Sequence, residues 1–521
     1  MDNGYIPNMT VIITKMYARK TALIMTTLLI SNFFGYLSWY FVTNNLQQSY
    51  VGSVAFAISY LGFFGVITDL GFSSAHIKRV SQGKDLGRCM GTYITVKGVL
   101  LSLFILMALS AIWGYRNVYP GRDFSRDFDM DVIMVMVLWS VLSNITTILS
   151  NTFIGKQQVA KAQITVLVSA VVQSIVTIIV VLNFEDVILY ALTYVLGAAV
   201  SLATGIILFR GFSIKPPTKE YFKSYVTFAL PLMFVMGAAP LILYMDKVMI
   251  KLFLENTHVS LYWNAQKFSA LPDALTGSVM TVLFPAFSSM VATGSLGEVR
   301  KSTLMAERFL SMAVFPCAFI LMAISTPFIE VFSDISYSES APVFLILMGW
   351  VIIRALSKPY SSHFGGFNKP VYSLYINLIV IPVNIILNLV LIPESIFGIP
   401  LAGMGIRGAA LATLLSGTMK FVMIRFLSRR LIKIGPNRSV LRHLVAGGIV
   451  GCGLFLIQSL HPFVDRFYEI LLVFAAGILI YGLLLYLMGE LSKNDVKFFL
   501  DTINPKKSIR YIRDETGNRD R

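Results

Sequence analysis

Long apolar stretches recur from one end of this chain to the other, and they constrain its fold more than any other feature. Each reaches about 20 residues, enough for a helix to cross a hydrocarbon core of roughly 30 Å. Backbone groups find no water in that core, so such stretches must be helical, and the alternating segments of a β-barrel do not occur. Only 13% of the 521 residues are charged. We therefore predict an all-α polytopic membrane protein.

The apolar stretches predict about fourteen transmembrane helices, arranged as six, six and two. The first begins too late and runs too long for a cleavable signal peptide. The expected spans are 21–43, 50–71, 91–113, 130–152, 162–182, 186–209, 224–245, 260–290, 303–331, 341–365, 371–393, 405–428, 443–460 and 467–489.

Basic residues are distributed unequally between the two sides of these spans. We assign three to span interiors and only seven to one side, in its loops or at its span ends: Arg116, Arg122, Arg126, Lys247, Lys251, Arg407 and Arg466. The remaining 33 of the 43 lysines and arginines fall on the other side. This bias predicts that both termini are cytoplasmic and that the protein lies in the cell membrane. The net charge of +16 therefore reflects topology and contact with membrane lipid, and we expect no nucleic-acid partner.

Two basic connectors divide the chain. The first contains Pro216-Pro217, which cannot continue a helix, and the second begins at Lys420. The predicted units are a cytoplasmic or interfacial segment at 1–20, an N-lobe at 21–212, a C-lobe at 213–432, two additional spans at 433–490, and a basic cytoplasmic tail at 491–521.

The two lobes also resemble each other. The stretch 51–59 aligns without gaps to 259–267, and each opens the second span of its lobe. An even number of spans per lobe makes the repeats parallel in topology. Transporters commonly bind substrate between such repeats near the middle of the membrane. The symmetry thus favours transport over catalysis within the membrane.

Three cations predicted within spans are the strongest candidates for substrate binding: Lys97, Lys267 and Arg354. A charge at the centre of a transmembrane helix costs roughly 2.5–3.5 kcal/mol, so each needs a wet cavity or a partner. Cations on separate helices suit an anionic ligand, because phosphate oxygens accept charged hydrogen bonds. The alternative for Lys97 and Arg354 is that their side chains extend to the membrane interface.

Carboxylates provide the candidates for gating or coupling, namely Asp69, Asp246 and Asp273. Asp69 and Asp246 fall near predicted helix ends, so capping or pairing across the lobes is the alternative. Asn377, Asn384 and Asn388 share one helix face, a pattern typical of hydrogen bonds between helices. The five histidines and three cysteines lack the spacing of a metal site, and we predict no cofactor, no metal and no catalytic residue.

Several segments resemble polysaccharide flippases of the multidrug/oligosaccharidyl-lipid/polysaccharide (MOP) exporter superfamily, which is also the superfamily of MATE-like exporters. The resemblance covers roughly 20–490 and is most specific after residue 240. Its segments are Asp246-Lys-Val-Met-Ile250, Tyr262-Trp-Asn-Ala265-Gln-Lys267, Leu283-Phe-Pro285-Ala-Phe-Ser, 383–393, Gly405-Ile-Arg-Gly408, Asp69-Leu-Gly-Phe-Ser-Ser-Ala75 and Phe153-Ile-Gly-Lys-Gln-Gln158.

The resemblance implies two six-helix lobes facing a central cavity, with two extra C-terminal helices. It also implies a flippase that moves a lipid-linked oligosaccharide or polysaccharide precursor across the cytoplasmic membrane by alternating access. The expected partner is a glycan linked to a polyisoprenoid phosphate or diphosphate, with a glycan polymerase or glycosyltransferases as further partners. Two alternatives stay open at this point: a multidrug or cation antiporter of the same superfamily, and a membrane glycosyltransferase or polymerase.

Overall fold

A computed structural model describes residues 9–118, 130–210, 212–236, 238–292, 294–367, 369 and 371–491. These residues form seventeen α-helices and one two-stranded hairpin. The first nine helices are α1 (Met9–Asn45), α2 (Gln48–Gly65), α3 (Phe72–Ser81), α4 (Leu86–Val118), α5 (Met130–Gly155), α6 (Val159–Asn183), α7 (Val187–Leu208), α8 (Lys219–Met236) and α9 (Ala238–Phe253). The other eight are α10 (Asn256–Ala292), α11 (Leu296–Ala323), α12 (Ser325–Phe332), α13 (Ser340–Gly366), α14 (Val371–Leu391), α15 (Gly405–Ile432), α16 (Arg438–Leu460) and α17 (Phe467–Leu487). Strands β1 (Ser395–Ile396) and β2 (Ile399–Pro400) pair antiparallel between α14 and α15.

Helices occupy all fourteen predicted spans. Eleven helices of the described residues are long and apolar enough to cross a membrane. The first and eighth predicted spans fall on α1 and α10, and the seventh is divided between α8 and α9. The prediction of an all-α polytopic membrane protein is confirmed. The basic tail from residue 492 and the loop 119–129 lie outside the described residues.

Some details differ from the sequence prediction. The first helix begins at Met9, so it covers much of the predicted interfacial segment. Asp246, Lys247 and Lys251 do not leave the seventh span for an external loop, because α9 continues to Phe253 and buries all three. The ninth span ends at Ala323, where a break at Ile324 starts the short helix α12.

The predicted lobe boundary falls in an extended segment. Residues 212–218 contain no helix, as the proline pair predicts, yet the segment packs tightly against the start of α4. The backbone N–H of Lys215 donates to the carbonyl of Gly87 at 3.0 Å, and its ammonium donates to Asp85 at 2.7 Å. That hydrogen bond lowers the pKa of the exposed Asp85. The connector is therefore held in place, although the lobe limits stay a prediction.

The two halves of the chain touch at one end of α2 through its packing on α10. A Cβ at Gly52 would lie 1.9 Å from the carbonyl oxygen of Asn256, so only glycine permits this approach. The Asn256 amide donates to Ser53 Oγ at 2.7 Å. Nearby, Trp39 Nε1 donates to Asn264 Oδ1 at 2.8 Å. We call this the outer contact, after the topology that the charge bias predicts.

The halves touch again beyond the opposite end of α2, where α3 packs on α8. Gly71 adopts a left-handed φ of +83°, and a Cβ there would lie 3.0 Å from the carbonyl oxygen of Ala229. His76 Nδ1 lies 2.9 Å from the Tyr225 hydroxyl, and Arg79 donates to the Ser224 carbonyl at 3.1 Å. We call this the inner contact. Because both contacts are present, the structure is closed at both ends of α2.

The last two helices are fastened to the C-terminal half. Phe319 of α11 packs against Gly447 and Gly451 of α16, where larger residues would collide with its ring or backbone. Glu490, just after α17, pairs with Arg308 at 2.6 Å and with Arg442 of α16 at 2.5 Å. These contacts make α16 and α17 part of the C-terminal half's packing.

Candidate functional site

A cavity of about 640 Å³ lies among helices of the C-terminal half. Its walls come from α9, α10, α13, α14 and α15, and the Tyr244 ring at its edge fills the space beside Gly62 of α2. Three cations share the cavity: Arg354 and Lys358 of α13 and Lys420 of α15. Its polar lining also includes Asp246, Gln266, Ser357, Ser361, Ser373, Asn377, Thr413 and Ser416. A cationic chamber lined with hydroxyls and amides is suited to an anionic, hydroxyl-rich ligand.

Asp273 of α10 bridges two of these cations. Its carboxylate lies 2.6 Å from Lys358 Nζ and 3.3 Å from Arg354 Nη2. Thr276 also donates to it at 2.9 Å. The Arg354 guanidinium stacks 4.9 Å from the centre of the Trp350 ring, and 43% of its side chain remains exposed. The pairing joins α10 to α13 while leaving the arginine open to the cavity.

Asp246 forms the centre of a buried hydrogen-bond network. Its carboxylate accepts from Tyr262 at 2.7 Å, from Asn388 at 3.0 Å and from Thr413. Asn388 also donates to Asn384 at 3.2 Å. The network joins α9, α10, α14 and α15. Asp246 lies inside α9 and does not cap it, so the capping alternative does not apply, while its role in gating or coupling stays a prediction.

The asparagine face of α14 serves two purposes along its length. Asn384 donates to Ser416 of α15 at 3.1 Å. With Asn388 it makes the contacts between helices that the spacing predicted. Asn377 instead lines the cavity, and its buried Oδ1 has no hydrogen-bond partner among the described residues.

A second pocket, of about 250 Å³, lies between the two halves and contains Lys267. Helices α1, α6 and α7 form one side, and α10 supplies Trp263 and Lys267. The Lys267 ammonium lies 4.0 Å from the centre of the Trp39 ring and 5.7 Å from that of Trp263. Within the described part of the chain, no carboxylate lies within 4.0 Å of this ammonium. Its hydrogen-bonding lining is neutral: Ser31, Ser38, Gln173, Ser174, Thr177, Tyr190 and Tyr194.

Lys97 lies apart from both cavities, near the inner contact. Its ammonium donates to the Thr68 carbonyl at 2.8 Å and pairs with Asp69 at 3.4 Å. Asp69 also accepts from the backbone N–H of Ser73 at 3.0 Å, which satisfies an N–H in the first turn of α3. Ser73 continues the network to the Tyr93 hydroxyl at 2.8 Å. The pair therefore fixes the turn that places α3 against α8.

We expect Asp69→Asn to destabilise the protein by about 1–3 kcal/mol and more than Lys97→Met does. In Asp69→Asn, the charge left without its partner is on Lys97, whose side chain is only 5% exposed. In Lys97→Met, the charge left behind is on Asp69, whose side chain is 38% exposed and reaches water. Melting temperatures in detergent measure the difference. Asp85→Asn, which breaks an exposed ion pair, is the matched control and should change little. Equal melting temperatures for Asp69→Asn and wild type would contradict this account.

The structure separates the three cations that the sequence singled out. Arg354 lines the C-half cavity, Lys267 lines the pocket between the halves, and Lys97 is paired at the inner contact. Lys358 and Lys420 were missed as cavity residues, because the charge count assigned both to the cytoplasmic side. The signal for Lys420 was its position within the predicted span 405–428.

Comparison with known proteins places this architecture in a family. The family model described as "Polysaccharide biosynthesis protein" matches residues 17–291, more than half of the chain. The chain belongs to this family. The match includes both contacts between the halves, the Lys267 pocket and Asp246.

Individual relatives are distant but cover most of the chain. A Haloferax volcanii protein described as "Probable low-salt glycan biosynthesis flippase Agl15" is 22% identical over 401 residues, which span 76% of this chain and 81% of that protein. The solved structure of the lipid II flippase MurJ in an inward closed conformation superimposes with a TM-score of 0.68 at 17% identity, covering 89% of this chain and 98% of that one. An inward-facing multidrug resistance MATE family transporter of the MOP superfamily gives a TM-score of 0.61 at 12% identity, covering 78% and 96%. These similarities show that the chain shares the fold of MurJ and of the MATE transporter.

Proposed function

We propose that this protein is a flippase that moves a lipid-linked glycan from the inner to the outer leaflet of the cell membrane. Two similarities support the proposal: the polysaccharide biosynthesis family match and a relative described as a glycan biosynthesis flippase. The substrate class is a glycan joined through a phosphate or diphosphate to a polyisoprenoid lipid. We further propose that both termini are cytoplasmic, as the distribution of basic residues indicates.

The observation that carries the proposal is Lys267 in the pocket between the halves. Lys267 is half-buried, and no carboxylate among the described residues pairs with it. An ammonium without such a partner is costly within a membrane, so its retention suggests a ligand that supplies the negative charge. The pocket's remaining polar groups are hydroxyls and one amide, which can hydrogen-bond to sugar hydroxyls. Trp39 and Trp263 add flat apolar faces beside them. This combination matches a ligand that is both anionic and glycosidic.

The two contacts between the halves support alternating access as the mechanism. Opening the inner contact would admit the sugar and diphosphate head from the cytoplasm, while the lipid tail stays in the bilayer. Opening the outer contact would release the head on the other side. A membrane potential that is negative inside favours outward movement of negative charge, by about 2.3 kcal/mol per charge at 100 mV. The potential can thus drive part of the cycle for a charged head group.

Three carboxylates are proposed to gate or couple this cycle. Asp69 organises the turn at the inner contact, and Asp273 links α10 to α13. Asp246 is buried where four helices meet, so a change in its charge would alter contacts on all four. A glycan polymerase and glycosyltransferases are proposed partners, because they would use or make the translocated substrate.

The direct test is translocation in proteoliposomes. A polyprenyl diphosphate oligosaccharide with a fluorophore on its sugar is placed in both leaflets, and an impermeant quencher is added outside. Wild-type protein should expose the protected inner fraction to quencher much faster than protein-free liposomes do. A rate equal to that of empty liposomes would contradict the proposal. Uptake of an organic cation that is driven by exchange for protons, without glycan movement, would instead favour the antiporter alternative.

A further inference from the structure

We infer that the C-half cavity is a separate subsite for the diphosphate of the substrate, in which Asp273 occupies the ligand's place until the ligand arrives. The proposed function supplies the identity of this ligand. The prediction that the cavity binds a small polyanion stands on the geometry of Arg354, Lys358 and Lys420. The site is distinct from the Lys267 pocket, which shares none of its lining residues.

Lys420 shows that the cavity is short of negative charge. No carboxylate lies within 4.0 Å of its ammonium among the residues that the structure describes. It shares the cavity with Arg354, whose charge repels it. Two like charges facing one chamber at membrane depth are retained at a cost, and an anion between them would remove that cost. The position of Lys420 is thus explained by a ligand and not by folding.

Asp273 satisfies the other two cations only in part. It binds Lys358 closely, at 2.6 Å, but lies 3.3 Å from Arg354. The arginine keeps its remaining N–H donors and 43% of its side-chain area exposed. A guanidinium has five donors in a planar fork and can bind phosphate oxygens in pairs. A phosphate group can therefore take over the Arg354 contact that Asp273 now makes.

Charge balance favours a dianion over a single negative charge. The cavity's cations are Arg354, Lys358 and Lys420, and its lining carboxylate is Asp246. With Asp246 and Asp273 ionised, this set has one positive charge in excess. If a doubly charged diphosphate displaces Asp273, the three cations, Asp246 and the ligand together carry no net charge. The volume of about 640 Å³ has room for the diphosphate and an adjacent sugar.

Displacement of Asp273 would also connect binding to movement. Asp273 is on α10, whereas both of its cations are on α13. The same α10 carries Asn256 of the outer contact and Lys267 of the pocket between the halves. A ligand that takes the place of Asp273 therefore removes an attachment of the helix that closes the outer side. Occupancy of the subsite would favour opening of the outer contact.

The test is equilibrium binding of radiolabelled inorganic pyrophosphate to purified protein in lipid nanodiscs. Asp273→Asn removes the internal competitor and should tighten binding at least fivefold. Lys420→Gln should weaken binding at least tenfold without lowering the melting temperature, because the lysine forms no ion pair with any described residue. Unchanged or weaker binding by Asp273→Asn would overturn the inference. Wild-type affinity in Lys420→Gln would overturn it as well.

Ligand-induced shifts in melting temperature provide a second test that remains valid if Asp273→Asn is less stable than wild type. Its Arg354 and Lys358 lose a partner, so its melting temperature should fall without ligand. Added pyrophosphate should then raise that temperature by more than it raises the wild-type value, because the ligand binds the folded state. A smaller rise than in wild type would count against displacement.

The inference and the proposed function can fail separately. Lys267→Gln should bind pyrophosphate with wild-type affinity while losing glycan translocation. If wild-type protein translocates glycan but the Asp273 and Lys420 variants bind pyrophosphate like wild type, only the inference fails. If the binding pattern holds but wild-type protein translocates no glycan, the subsite stands and the flippase proposal fails.

Discussion

Replacing Lys267 with glutamine is expected to reduce glycan translocation at least tenfold while the folded protein is retained. The Lys267 ammonium is the only charge among the described residues that line the pocket between the halves. Glutamine keeps a polar side chain of similar length but cannot offset the negative charge of a head group that passes through this pocket. A tenfold loss corresponds to about 1.4 kcal/mol of lost stabilisation of the rate-limiting state. Loss of a full ion pair at membrane depth should exceed that value.

The fold should tolerate this change, because no carboxylate in the described part of the chain pairs with Lys267 and would be left behind. Removing a charge that costs roughly 2.5–3.5 kcal/mol at a helix centre should keep or raise the melting temperature. Proteoliposome translocation and a melting curve measure the two effects. Lys219→Gln, at the exposed first turn of α8, is the matched control, and Lys267→Arg should recover part of the rate. Wild-type translocation by Lys267→Gln would exclude the pocket as a substrate site.

Gly52→Ala is expected to prevent closure of the outer contact and to reduce translocation at least tenfold. The new Cβ would lie 1.9 Å from the carbonyl oxygen of Asn256 and 2.5 Å from its carbonyl carbon. Both atoms belong to the backbone, so no side-chain rotation can relieve the collision. The halves must separate at this point, by about 1 Å or more, to restore ordinary van der Waals contact. The conformation with a closed outer side then becomes less populated, and the cycle stalls.

Spin labels at Ser49 and Thr257, at the outer ends of α2 and α10, can measure this separation. Gly52→Ala should shift the distance distribution between them to longer values. Gly65→Ala is the matched control, because it lies on the same helix and its Cβ would meet no atom within 4 Å. Gly65→Ala should leave the spin-label distances and the translocation rate at their wild-type values. A distance distribution unchanged by Gly52→Ala would show that the outer contact is not rigid enough to act as a gate.

The sequence predicted the helices well because hydropathy and helix length are local properties. All fourteen expected spans fall on helices, including α10, in which Asp273 interrupts the apolar pattern. The break at Ile324 was missed, because α11 and α12 together read as one apolar run. Because a backbone in lipid must be helical to satisfy its hydrogen bonds, hydropathy alone is enough to predict these helices.

Pairing of the charged residues could not be read from the sequence. Asp273 meets Arg354 and Lys358 only after α10 packs on α13, and Lys97 meets Asp69 across the turn that leads to α3. Neither pair has the three- or four-residue spacing that reveals partners on one helix. The sequence singled out Lys97, Lys267 and Arg354 as charges within spans but missed Lys358 and Lys420. Only packing shows that Lys97 pairs with Asp69, whereas no carboxylate among the described residues pairs with Lys267.

Because Glu490 follows the last helix, part of the packing of the C-terminal half depends on the order in which the chain is synthesised. Arg308 belongs to α11 and Arg442 to α16, yet both pair with a residue that follows the last helix. During synthesis, α11 and α16 are made before their common acceptor leaves the ribosome. The packing of these two helices around Glu490 can therefore be completed only after α17 has been synthesised. A chain that stops before Glu490 would lack the carboxylate that both arginines share, a defect by which membrane quality control could recognise unfinished protein.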